Sequence, residues 1–260
     1  MDTQKKLIAF HGKQSVKDKY LKRLRAHQAA DQIVQGFYTN QANPRSKEFR
    51  GCAVGCTLHK ADHGAYETEL GIPYQLGVLH DVMFERLPEE DAPAFAVNFL
   101  EAIPVGADTT MVLDRFVVWQ MDEIAPLIKN KKVLGYHNQL RDLLERRIAG
   151  ETIEDGQWLE LRHAIRAYLA YLAYLADRAY LADRAYLAYL AYLAYLADRA
   201  YLAYLAYLAY LADLAYLAYL AYLADLADLA DRADLAEFRQ KSAAKLIELL
   251  AACPVAETVN

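Results

Sequence analysis

Apolar residues three and four positions apart dominate the first 150 residues, a spacing that predicts helices rather than strands. From Ser15 to about Phe37 the positions Tyr20, Leu21, Leu24, Ala29, Ile33 and Val34 follow it, and Ser15 is placed to cap the first turn. NQANPRSKEFRG then reads as a loop running to about Gly55. A short helix is expected from about Asp62 to Leu70, stopped by Gly71 and Pro73. Segments 74–87, 89–103, 109–124 and 133–149 repeat the helical spacing and are separated by Pro88, by Pro104 with Gly106, by Pro126 and by Gly150. Leu7–Phe10 and Thr110–Trp119 carry β-branched or aromatic runs and are the candidates for short strands. Thr152 and Asp155 are alternative caps for a further helix, and between Gln157 and Cys253 neither Gly nor Pro interrupts the chain.

From Ala164 to Ala236 the pattern changes to strict triplets of Ala, then Tyr or Asp (Ile once), then Leu or Arg. Ala and Leu favour helix, and a period of three does not fit the alternation of a strand. At 100° per residue, each triplet steps the tyrosines back by about 60°, so they visit every face. Such a helix has no wet side, and it must fold back, pack on the preceding domain or self-associate. Asp183, Asp198, Asp213 and Asp228 recur every 15 residues, the drift of a right-handed supercoil. Short helices broken at the Ala-Asp-Arg-Ala steps are the alternative. Perfect triplets are also what expansion of a nine-base DNA unit, or an artificial sequence with no selected function, would produce.

The fold class expected is therefore mainly α: a helical N-terminal domain followed by a long or broken helical low-complexity repeat. Its parts are a domain over 1–150, the start of a connecting helix over 151–163, the triplets over 164–236, and a C-terminal helix and tail over 237–260.

Charge sharpens this division. The net charge of −5 hides a basic first fifth, with 11 Lys or Arg against 4 Asp or Glu in residues 1–50, and an acidic remainder. Lys17, Lys19, Lys22, Arg23 and Arg25 stand on the first helix around Tyr20, with Arg45, Lys47 and Arg50 near, and could meet nucleic-acid phosphate. They could equally meet the acidic tail of the same chain. The longest uncharged windows of the repeat are 13 residues long, too short for a membrane span of about 20. The apolar stretch near the N-terminus is too short for a signal peptide, and three cysteines do not form a disulfide framework, so a cytoplasmic protein is expected.

The candidate chemistry lies in GCAVGCTLHKADH, where Cys52, Cys56, His59 and His63 are spaced C-x3-C-x2-H-x3-H. Thiolates and imidazoles suit Zn²⁺, the one cofactor expected if there is any. Glu67, one turn beyond His63, and the pair His27 and Asp31 on the first helix are possible additional ligands. The spacing is tighter than in zinc fingers, and two buried cysteines beside two surface histidines would look the same. Cys56 with His59 or His63 as base would be a nucleophilic alternative, but no third residue orients them. No Gly-rich phosphate loop, G-x-S-x-G elbow or H-E-x-x-H motif is present.

The segments GCAVGCTLH, AYETELGIP, FERLP and FLEAIPVGAD, followed by an Ala-rich tract with recurrent Tyr and Asp and a closing KLIELL, resemble uncharacterised bacterial and phage proteins that end in alanine-rich repeats. The resemblance implies no activity, and the strict triplets depart from the looser repeats of that group. Two expectations of function stand: a non-enzymatic structural or interaction protein that self-associates through its repeat, and a zinc-binding domain, hydrolytic or nucleic-acid-associated, centred on the Cys/His cluster.

Overall fold

The computed structural model describes residues 7–36, 49–60, 62–176 and 231–255, with side chains described outside 169–176 and 231–235. Among them the protein is mainly α, without strands. Triplets 177–230 lie outside the described residues, while those at either end fall within helices.

The chain divides into two compact units, residues 1–113 with 236–260, and residues 114–235. This differs from a boundary at Gly150, and the reason is local pairing. The Gly106–Asp108 segment is shared by both ends of the first unit: Ala9 N–H donates to Ala107 O, Gly106 N–H to Ala9 O, and Asp108 N–H to Pro254 O, all at 2.9 Å. Ala107 and Val255 form an antiparallel bridge.

In the first unit a 3₁₀ turn, Ala9–Gly12, precedes α1 (Gln14–Ala29), α2 (Ala53–Leu58), a π-helical turn (Tyr66–Leu70), α3 (Tyr74–Arg86) and α4 (Ala92–Ala102). The short strand expected at Leu7–Phe10 is thus a 3₁₀ turn, with Phe10 and His11 at φ of 56° and 52°. α1 begins one residue before Ser15, without a side-chain cap, and ends at Ala29 rather than Phe37 because Asp31 adopts a left-handed φ of 51°. Its apolar stripe, Tyr20, Leu21 and Leu24, is buried. α4 carries Pro93 in its first turn and buries Phe95, Phe99 and Leu100. Gly71 has φ 63°, and a Cβ there would lie 2.1 Å from Ile8 O, so the turn into α3 requires glycine. α8 (Asp231–Ala251) returns to this unit, buries Leu246 and Leu250, and offers Gln240 Nε2 to Asp91 Oδ2 at 2.7 Å.

α5 (Val112–Ile124) occupies the region read as a possible strand at Thr110–Trp119; the spacing of Val112, Phe116 and Met121, all buried, outweighs its β-branched content. The second unit continues through α6 (Lys131–Ile148) and α7 (Asp155–Ala176). Asn130 caps α6 by accepting from Lys132 and Val133 N–H. Arg147 makes a bidentate pair with the buried Asp114 carboxylate and lies 5.5 Å from the Trp158 ring centroid. Among the described residues no helix is long and apolar enough to cross a membrane.

Candidate metal centre

The region expected to be loop up to Gly55 holds α2, and its geometry starts from a bridge. Gly51 N–H donates to Gln32 O at 3.0 Å and Val34 N–H to Gly51 O at 2.9 Å, pinning the chain just before Cys52. Cys52 is the N-cap of α2, in extended conformation, its Sγ accepting from Gly55 N–H at 3.4 Å. Every residue of α2 is buried. Cys56, one turn on, aims its thiol at Gly51 O at 3.2 Å and at Gln32 O at 3.5 Å. Burial pushes the Cys56 thiol up to about 12, and burial with the nearby Asp81 carboxylate raises Cys52 as well, so neither is a ready nucleophile.

The two histidines go separate ways. His59 ends α2 in the left-handed region, φ 58°, and its Nε2 meets His27 Nε2 at 2.7 Å. His63 turns instead to α3, where its Nε2 lies 3.3 Å from Asp81 Oδ2. No three of Cys52, Cys56, His59 and His63 bring ligand atoms within 4.8 Å of one another. Glu67 accepts from Tyr74 N–H at 3.0 Å, closing the start of α3, and Asp31 is exposed on the turn after α1.

Among the described residues one group does converge: Cys52, Asp81 and Glu85, with ligand atoms all within 4.8 Å. Asp81 and Glu85 are one helical turn apart on α3 and share a face. Asp81 is only 13% exposed, and its Oδ1 is buried without a hydrogen-bond partner. Glu85 accepts from Gly36 N–H at 2.7 Å through Oε2, and burial followed in smaller measure by the Asp81 charge raises its carboxyl above the usual range. Ligands of one tetrahedral zinc lie roughly 3 to 4 Å apart, so this triad would need to contract by only about 1 Å. Asp81 and Glu85 were not among the residues expected from the sequence. Their signal was two acids a turn apart in the mainly apolar YQLGVLHDVMFERL helix, a pattern shared by many solvated helix faces.

The basic residues of α1 are largely engaged within the first unit. Lys17 Nζ donates to Glu101 O and Ile103 O at 2.7 and 2.6 Å, closing the C-terminal end of α4. Arg23 donates to Thr57 O at 2.9 Å, Arg25 pairs with Glu101 at 2.6 Å, and Lys19 lies on the Tyr20 ring. Lys22 is exposed. Arg45 and Lys47 lie outside the described residues.

Comparison with known protein families, with curated proteins and with solved structures finds no match to this chain.

Proposed function

We propose that the first unit is a divalent-metal-binding helical domain, selective for zinc, whose ligands are Cys52, Asp81 and Glu85 with His63 beside them. The observation that carries it is the convergence of one thiol and two carboxylates within 4.8 Å, with a buried Asp81 oxygen that has no other partner. A thiolate among the ligands favours Zn²⁺ over Mg²⁺ or Ca²⁺. A bound dication would reverse the local electrostatics: the thiol raised by burial would lose its proton, and the repulsion between Asp81 and Glu85 would become shared attraction. His63 orients the Asp81 carboxylate from behind, or closes the coordination shell by rotating toward the ion.

Metal analysis and zinc titration of untagged protein test this. The expected result is one zinc per chain and a higher melting temperature that chelation removes, with binding weakened at least about tenfold in Asp81→Asn and Glu85→Gln. Absence of bound zinc together with an unchanged melting temperature on adding zinc refutes it.

A second reading rests on the sequence pattern alone, that the chain also self-associates through repeat Tyr and Leu side chains, which a triplet period places on every face. Sedimentation velocity tests it; a monomer over a wide concentration range counts against it.

A further inference from the structure

We infer that the His27–His59 contact is an acid-opened latch between α1 and α2, a device independent of the proposed metal site. The two Nε2 atoms face each other at 2.7 Å. His27 Nδ1 sits 2.6 Å from Gln32 Oε1, which can only accept, so His27 carries its proton on Nδ1 and offers Nε2 as an acceptor. His59 therefore donates Nε2–H. Phe49 covers both rings, with centroids 4.6 Å from His27 and 4.7 Å from His59.

This geometry limits how many protons the closed pair can hold. A first proton can enter at His59 Nδ1 without disturbing the contact, although burial, and in smaller measure Arg23 and His27, hold His59 down to about 4. A second proton would have to enter at His27 Nε2, where the His59 N–H already points. The closed pair takes one proton at most, whereas two separated imidazoles take two. Among the described residues no carboxylate offsets this. From α1 the pair faces Arg23, α2 itself carries no charge, Lys60 turns away to Glu69, and Asp31 and Arg50 are exposed on the flanking segments. Gln32 is held twice, its side-chain Oε1 by His27 and its backbone O by Gly51 N–H, so the histidine pair and the Ile33–Gly51 bridge join the same two segments, and parting the pair loosens the bridge that precedes α2.

Amide exchange at Val34 and Gly51, corrected for the intrinsic pH dependence, reads the latch directly, with Leu100 in buried α4 as the reference for global opening. The opening constant at Val34 and Gly51 is expected to rise steeply, by up to about a hundredfold per pH unit between about pH 6 and pH 4, where the open pair holds two protons and the closed pair none, while Leu100 stays flat. The rise should fall to at most about tenfold per pH unit in His59→Asn, which tolerates the left-handed backbone and cannot be protonated, and in His27→Gln, since each leaves a single imidazole. Flat protection at all three amides in the wild type, a parallel rise at Leu100, or the same rise in both variants overturns the proposal.

Discussion

His80 and Asp81 are neighbours on α3, yet they belong to opposite kinds of polar cluster. His80 is fully buried and satisfied at both ring nitrogens: Nε2–H donates to Ala96 O at 3.1 Å, and Nδ1 accepts from Tyr66 Oη–H at 2.7 Å. Its ring stacks on Phe99 at 4.1 Å, and Tyr66 packs against Gly77, where a Cβ would stand 2.6 Å from the Tyr66 ring. One residue later, the Asp81 carboxylate keeps a buried oxygen without a partner beside a thiol and a second acid. The closed cluster holds the helices together. The open one carries a cost of about 1–3 kcal/mol for its unsatisfied buried acceptor, which a bound cation would offset.

The largest expected effect comes from breaking the closed cluster. His80→Ala removes the stacked ring and strands the Tyr66 hydroxyl, and should destabilise the first unit by about 3 kcal/mol or more in denaturant unfolding, with or without zinc. Gly77→Ala attacks the same cluster by overpacking Tyr66 and should cost about 1–3 kcal/mol. A His80→Ala protein as stable as the wild type would mean that the Tyr66–His80 chain carries no structural weight.

Acid sharpens the comparison next. Burial holds His80 down to about 3 in the folded state, against an ordinary value near 6.5. Below pH 6.5 the unfolded chain takes a proton that the native state refuses, so stability falls as pH drops, by up to about 1.4 kcal/mol per unit, until the folded value is reached. His137, held down to about 4 by burial, adds the same sign in the second unit. Chemical denaturation between pH 7 and 4.5 checks this, and His80→Gln should flatten the slope.

Opening the other cluster gives a smaller change in the free protein and a larger one with metal. Asp81→Asn relieves repulsion at Glu85, so stability without zinc should stay within about 1 kcal/mol of wild type or rise, while the stabilisation by zinc disappears. Thermal melts with zinc and with chelator separate the two. Loss of stability in the chelated variant matching that of His80→Ala would place Asp81 in the structural core instead.

Much of the helical frame was legible because Pro88, Pro104 and Gly150 punctuate it and the apolar spacing between them is regular. The short elements were not. Cys52 to Leu58 looked like loop because two glycines flank its apolar residues, and only burial of the whole turn makes a helix there. The site was half legible for a related reason. Local spacing drew attention to four residues within 12, but a left-handed His59 sends its ring toward α1, and Asp81 and Glu85 reach Cys52 across 29 and 33 positions of sequence.

The smallest effect decides between the two arrangements of ligands. Cys56 lies in the Cys/His motif but not in the converging group; its thiol is occupied by the Gly51 and Gln32 carbonyls. Cys56→Ala deletes one weak donor and a sulfur-sized volume, and should cost about 1 kcal/mol of stability with zinc affinity unchanged. Cys52→Ala should abolish tight zinc binding, because it removes the sulfur ligand that sets the metal preference. Isotherms on the two variants measure this directly. Equal loss of zinc in both would transfer the centre to the Cys52, Cys56, His59 and His63 arrangement, which would require His59 to leave His27 and His63 to leave Asp81.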